Sequence, residues 1–250
     1  MERNGVFEVP SVAQFYDWPD RPRPDFAWCE RFVAGARTVL DLGAGTGELA
    51  LRLARTHAKT HAVTAVDPAM AMLDLGRAKP GADRVRWIEA DARTLRLNAR
   101  FDAIVLTGHT FQVFLADADQ MTVLATIARH LAPDGRFVLD SRNPDFPGAK
   151  TRRREETTRR FDHPVHGAVE AWNTSAFDEA SSILTYENAY RVLRSGTFHA
   201  ATAQIRYTGQ ADLAARIDAA DLAADRWLGD WHGAPFQAGS PETIPVARLT

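Results

Sequence analysis

The sequence predicts an α/β fold: a doubly wound, Rossmann-like, mainly parallel sheet with an antiparallel β-rich insertion after its fifth strand. Three observations predict it. Across residues 38–140, short apolar runs alternate with segments of helical periodicity, the rhythm of strand–helix–strand units. Several of those runs are apolar without alternation, as strands covered by helices on both faces require. After Pro147 the helical pattern stops, and strand-like runs follow one another with only turn signals between them, which calls for antiparallel pairing.

The elements follow in order. Residues up to about 24 are rich in proline and aromatics, and Pro19, Pro22 and Pro24 predict an irregular segment without a regular helix. A helix is expected over 25–34. Residues 38–42 read as a short buried strand. A glycine-rich turn leads into a helix over 47–57, whose Leu49, Ala50, Leu53 and Ala54 form an apolar face at helical spacing. Residues 62–66 form the second strand, and a helix over 69–78 stops at Pro80-Gly81. The third and fourth strands are 85–88 and 101–106. A helix over 119–131 precedes the turn signal Pro133-Asp134-Gly135, and 136–140 is the fifth strand. The insertion is taken as 148–207. Its basic run 151–160 leads to strands at 169–177, 183–193 and 197–207, separated at Asp178-Glu179 and Ser195-Gly196. A helix over 210–220 and strands near 225–228 and 243–249 resume the earlier rhythm. Residues 1–250 therefore read as one domain, with the insertion as a cap.

Composition narrows the function. The chain has 250 residues and a formal net charge of -2, a balance that predicts neither a nucleic-acid nor a membrane partner. No run is long and apolar enough to span a bilayer, and Met1-Glu2-Arg3-Asn4 lacks a leader's apolar core, so a cytoplasmic location is expected. The single cysteine, Cys29, has Trp28 and Glu30 as neighbours and no basic activator, so it reads as a packing thiol. His163 and His166 flank Pro164-Val165 without a cysteine or carboxylate pair, so no metal is expected. Arg152, Arg153, Arg154, Arg159 and Arg160 suit a solvated face, with an anionic acceptor as the other use. RNA is disfavoured because no interleaved aromatics accompany them.

The chemistry is carried by Asp41-Leu42-Gly43-Ala44-Gly45-Thr46-Gly47-Glu48 at the end of the first strand. Glycine permits a tight turn and close approach of a ligand to the backbone. In an open α/β sheet, strand ends at this point bind ligands. A dinucleotide fingerprint wants G-x-G-x-x-G, but here the third glycine comes one residue early and Glu48 stands in its place. Asp41, two residues before the first glycine, suits a ligand bearing a positive amino group better than a pyrophosphate. A second acid, Asp67, ends the second strand, where a carboxylate can accept hydrogen bonds from a ribose diol. A third, Asp91, follows the third strand. It can read an adenine amino group while the amide of Ala92 meets a ring nitrogen.

Together the glycine turn, Asp67, Asp91 and the segment Ala132-Pro133-Asp134-Gly135-Arg136 resemble the class I S-adenosylmethionine-dependent methyltransferases. The resemblance covers about 38–140 well and the C-terminal elements more loosely. It implies that the turn from Asp41 through Gly43, Ala44 and Gly45 to Gly47 holds the methionine part. By the same resemblance Asp67 holds the ribose, Pro68 and Met72 pack on adenine, and Asp91 and Ala92 read its edge. Thr107 and Gly108 complete the cofactor set. The implied reaction is an in-line displacement in which the protein aligns acceptor and methyl group and excludes water.

The segment Thr107-Gly108-His109-Thr110-Phe111-Gln112 should face the acceptor. It lacks the Asn/Asp-Pro-Pro-aromatic pattern of enzymes acting on nucleobase or glutamine amino groups. His109 is the catalytic candidate, as a general base, an orienting group or a cap of the next helix. A subset of small-molecule enzymes, including glycine- and sarcosine-type ones, carries a β-rich cap after the fifth strand, and the insertion resembles it. Tyr16, Phe111, Arg142 and Asn143 are the acceptor-side candidates. Trp172, His199 and Arg206 read as structural residues of the cap. The expected activity is methylation of N or O in a small molecule. The alternatives are a non-catalytic S-adenosylmethionine-binding module, an RNA or protein methyltransferase, and a dehydrogenase-like nicotinamide enzyme, which the glycine spacing disfavours.

Overall fold

The apolar runs and the helical stripes meet as two cores, one on each face of a twisted sheet. Along β1 (Thr38–Leu42), Leu40 and Leu42 pack into one core, while Val39 packs into the other. That is why the strand reads apolar without alternation. The computed structural model describes residues 5–18, 22–56, 62–148 and 150–250. The expectations for Met1 to Asn4, Pro19 and His57 lie outside the described residues.

Two short helices, α1 (Gly5–Glu8) and α2 (Pro10–Ala13), precede α3 (Pro24–Phe32). The doubly wound part runs β1, α4 (Glu48–Thr56), β2 (Ala62–Asp67), α5 (Met70–Arg77), β3 (Val85–Glu89), β4 (Phe101–Leu106), α6 (Asp117–His130) and β5 (Leu131–Leu139). The short β6 (Ser141–Arg142) follows. The insertion holds α7 (Arg154–Thr157), β7 (Arg159–His163), β8 (Gly167–Asp178), β9 (Ile183–Val192) and β10 (Phe198–Arg206). The chain closes with α8 (Gln210–Ala219), β11 (Leu222–Leu228) and β12 (Glu242–Leu249).

The large sheet has the order β11-β12-β5-β4-β1-β2-β3, with β6 paired to β12. Strands β3, β2, β1, β4 and β5 are parallel neighbours, and β12 runs antiparallel between β5 and β11. From β1 the chain winds to β2 on one side and later to β4 on the other. The crevice above the ends of β1 and β4 is therefore the switch point where such sheets bind ligands. The insertion is a four-stranded antiparallel sheet, β10-β9-β8-β7, with a long β8/β9 pairing from Val169↔Val192 to Asp178↔Ile183. Its apolar residues Val169, Ala171, Tyr190 and Val192 pack with Val12 and Phe15 of the N-terminal segment.

Two expectations needed correction. The N-terminal segment is not free of helix: α1 and α2 form, with Pro10 at the start of α2, and α3 begins on Pro24 itself. Proline is tolerated in a first turn because its missing N–H has no intrahelical partner there. The basic run 151–160 is almost wholly exposed, in line with a solvated face, and carries α7 and the start of an edge strand, β7, where charge discourages further pairing. Finally, β5 begins at Leu131, before the expected turn. Leu131 pairs with Phe101 and Arg136 with Ala103, so residues 132–135 face Asp102 alone and Pro133-Asp134-Gly135 bulges within the strand.

Candidate active site

The turn after β1 is built by three glycines with positive φ: Gly43 (79°), Gly45 (57°) and Gly47 (67°). The amides of Gly43 and Ala44 both donate to Val66 O, at 2.7 and 3.0 Å. A Cβ on Gly43 would fall 2.2 Å from Thr110 Cγ2, and one on Gly47 would fall 2.2 Å from the Trp87 ring. Space and φ both demand glycine at these two positions. Gly47 lies against Trp87, away from the cleft lining, so it shapes the turn from beneath.

Above the strand ends lies a cleft of about 1800 Å³ between the large sheet, the N-terminal segment and the insertion. Gly43, Gly45, Asp67, Pro68, Met72, Asp91, Ala92, Gly108 and His109 all line it, as do Tyr16, Arg142 and Asn143. Asp41, Ala44 and Thr107 line a small recess that shares Tyr16, Gly43, Gly45 and Gly108 with the cleft.

Three carboxylates stand at three strand ends in different settings. Asp41 is buried, and its Oδ2 has no hydrogen-bond partner among the described residues. Burial first, and then the nearby Asp67, push its carboxyl up to about 7. Asp67 is also buried, but its Oδ2 accepts from Gly45 N and its Oδ1 from Ala69 N, both at 2.8 Å. Burial lifts its pKa, and the two amides oppose the lift. Asp91 is tied to Arg93, whose backbone N donates at 2.8 Å and whose Nη2 lies 2.6 Å from Oδ2. Arg93 holds this carboxyl below its ordinary range and also reaches Asp119 at 3.0 Å.

After β4, His109 adopts a left-handed backbone (φ 64°), uncommon for a residue with a Cβ. Its amide donates to Asp140 Oδ1 at 2.8 Å, and its Nε2 lies 3.0 Å from both carboxylate oxygens of Glu242. Asp140 is almost fully buried, and burial raises its pKa. Among the described residues, no group of three His, Cys, Asp or Glu is arranged to hold a metal ion. Arg142 Nη1 donates to Gln112 Oε1 at 3.0 Å, and Gln112 Nε2 donates to Arg206 O at 3.2 Å, joining the sheet edge to the insertion.

Two acceptor-side expectations are corrected. Phe111 is fully buried in the sheet core and does not line the cleft. Asn143 donates from Nδ2 to the carbonyls of Ala238 and Ser240, at 2.7 and 2.8 Å, and its Oδ1 accepts from Asp145 N. Its amide clamps the loop before β12 and is spent on backbone. The sequence reasoning missed Glu242, which is 133 positions from His109. It also missed Asn173, Tyr186, Asn188 and Tyr190 of the insertion, which line the cleft. The only local signal for Glu242 was an acid at the start of the last strand.

In chemical terms, an unpartnered buried carboxylate oxygen suits an ammonium group, and an acid at the end of β2 suits a diol. An acid followed by the amide of Ala92 after β3 suits an aminopurine edge. The set matches what S-adenosylmethionine presents.

Comparison with known proteins agrees. A family profile described as a methyltransferase domain matches residues 39–135. The cypemycin N-terminal methyltransferase of a Streptomyces species is 30% identical over 211 residues, 84% of this chain and 82% of that protein. Among solved structures, the CcbJ methyltransferase of Streptomyces caelestis superposes with a TM-score of 0.81 at 23% identity, over 100% of this chain and 99% of that one. CalS10, a Micromonospora echinaspora amino pentose methyltransferase solved with S-adenosylmethionine bound, gives 0.71 at 22% identity, over 100% of both chains. At such identities the structural likeness speaks to the fold, while the sequence relative carries the family. The chain belongs to the class I S-adenosylmethionine-dependent methyltransferases.

Proposed function

We infer that the protein methylates an amine nitrogen of a small molecule or short peptide. The observation that carries this reading is the acidity of the acceptor end of the cleft, where Asp140 and Glu242 flank His109. Two acids there favour a cationic acceptor group over a neutral hydroxyl. The names of two similar proteins point the same way, one acting on a peptide N-terminus and one on an amino pentose.

When bound, S-adenosylmethionine supplies a methyl group already activated on a sulfonium. Asp41 pairs with the methionyl ammonium, and the backbone of Gly43, Ala44, Gly45, Thr107 and Gly108 lies along the rest of that arm. Asp67 accepts from the ribose hydroxyls with the lone pairs that Gly45 and Ala69 leave over. Pro68 and Met72 flank the adenine, and Asp91 and Ala92 meet its edge. Tyr16 closes the cleft from the N-terminal side, and Arg142 orients the acceptor. We read the whole chain as one domain whose insertion roofs the acceptor, and place it in the cytoplasm. The alternative of a non-catalytic sensor is disfavoured by the size of the capped cleft, which leaves room for an acceptor.

The test uses matched probes with methyl-labelled S-adenosylmethionine. One pair is an alanyl peptide with a free or an acetylated N-terminus. The other is an aminodeoxyhexose and its hydroxyl parent. Label should enter only the amine members. Label in the hydroxyl parent alone would refute the nitrogen assignment.

A further inference from the structure

Glu242 opens β12, and its backbone pairs with Arg142 of β6. Both its carboxylate oxygens lie 3.0 Å from His109 Nε2, and its side chain keeps 18% exposure toward the cleft it lines. Asp140, the other acid at this end, is almost fully buried, and its Oδ1 already accepts from the amide of His109. Both acids line the cleft, and Glu242 is the more exposed of the two, at 18% against 2%.

An aliphatic amine carries a proton at neutral pH and has no lone pair to attack with until that proton leaves. We propose that Glu242 takes the acceptor's proton, with His109 holding the carboxylate in place, so that Glu242 is a catalytic residue. The proposal rests on the nitrogen reading above. In the step, an N–H bond of the acceptor ammonium breaks and the proton passes to a Glu242 oxygen. The lone pair so freed forms the N–C bond while the C–S bond breaks and sulfur keeps its electron pair. Glu242 returns its proton to water as product leaves, and no other reactant is needed.

The charged and titratable groups that face Glu242 are His109 after β4, Asp140 after β5, Arg142 on β6, Asp25 on α3 and Tyr207 after β10. Burial is the largest influence and lifts the Glu242 carboxyl to about 7, with Arg142 opposing and Asp25 adding to the lift. A base that titrates near the working pH both accepts and releases a proton readily.

The probe is the alanyl peptide with a free N-terminus, whose α-amino group titrates at about 8. Rates would be measured from pH 6 to 10 for wild type, Glu242→Gln and Glu242→Asp. S-adenosylhomocysteine affinity and melting temperature would be measured on each. Glu242→Gln should lose roughly 10-fold in kcat/KM at pH 7, where about a tenth of an amine titrating at about 8 is already neutral. Its cofactor affinity should hold, and the deficit should shrink by pH 9.5, where the peptide arrives already neutral. Glu242→Asp should retain part of the rate. A deficit constant with pH, or full activity of Glu242→Gln at pH 7, would overturn the proposal. A second arm needs no acceptor: carboxyl-labelled glutamate NMR of the S-adenosylhomocysteine complex. One carboxyl should titrate near pH 7 and vanish in Glu242→Gln; titration with the ordinary glutamates would overturn the assignment. If a carboxyl titrates near pH 7 but only hydroxyl probes are methylated, the nitrogen reading has failed, and the ammonium step with it.

Discussion

Asp41 joins a cost in the free protein to a gain in the complex. Its pKa is raised on folding, from an ordinary aspartate value of about 4 to about 7. Over that window the unfolded chain binds fewer protons than the folded one, so this group's contribution to stability falls as pH rises and levels off above 7. Asp41→Asn removes the effect. The variant without cofactor should therefore melt higher than wild type at pH 8, with the difference vanishing toward pH 4. Binding of an ammonium-bearing ligand needs the ionised form. Wild-type affinity for S-adenosylhomocysteine should rise with pH up to about 7, whereas Asp41→Asn should show a flat profile and bind roughly 10- to 100-fold more weakly, the worth of a charge-assisted hydrogen bond. A variant that melts like wild type at pH 8 and binds equally well would show that Asp41 is already protonated or satisfied. Gly47→Ala tests the turn itself. It adds a Cβ at positive φ and drives it into the Trp87 ring, which should cost about 2–4 kcal/mol of stability, strain and overpacking combined. Denaturant unfolding would measure the loss. These residues were legible in the sequence because their demands are local: a glycine spacing, and an acid at each strand end. The partners that Arg93 gives Asp91 and that Gly45 and Ala69 give Asp67 were not legible, because they depend on loop conformation.

At the scale of elements, the N-terminal segment carries only two short helices yet joins the insertion to the glycine turn. Phe15 is fully buried and stacks on Tyr190 of β9 at 4.6 Å. His163 Nε2 lies 3.3 Å from Gln14 O, and His166 Nε2 lies 2.8 Å from Gln14 Oε1. Two residues on from Phe15, Asp17 accepts from Thr46 Oγ1 at 2.6 Å and pairs with Lys79 at 2.7 Å. The segment thus straps the insertion to the glycine turn, with Tyr16 between the two anchors. Phe15→Ala should cost the strap about 3–5 kcal/mol. Hydrogen exchange should show the amides of 12–18 losing protection while β1 and β4 keep theirs, and cofactor affinity should fall because Tyr16 is no longer held. Uniform loss of protection across the large sheet would mean that the strap belongs to the main core. The same contacts explain why the segment was misread. Its helices are one turn each and held by tertiary packing, so no periodicity announces them. The strands of the doubly wound part announce themselves because burial on both faces writes continuous apolar runs. Strand β7 is hidden by its arginines, which an edge tolerates and a central strand would not.

At the scale of the molecule, the sheet order divides the labour. The parallel half, β1 to β4, carries the glycine turn and the strand-end acids. The antiparallel return of β12 brings Glu242 beside His109 and Asp140, which the parallel strands supply. The insertion then closes the cleft from above, with Asn173, Asn188 and Tyr186 among its lining. The lining of the cleft at the ends of β1, β2 and β3 was legible from sequence because it lies at consecutive strand ends. At the other end of the cleft His109, Tyr16 and Arg142 were candidates from sequence, but Glu242 was not, because it comes beside His109 only when residues 133 positions apart are folded together. We propose that the ends of β1, β2 and β3 bind S-adenosylmethionine through this set of acids. Calorimetric titration with S-adenosylhomocysteine, with NAD as control, on wild type and on Asp67→Asn decides this. Saturable binding of S-adenosylhomocysteine alone, weakened roughly 10-fold or more in a variant that still folds, is the predicted result. Binding of NAD instead, or an Asp67→Asn variant that binds as wild type does, would contradict it.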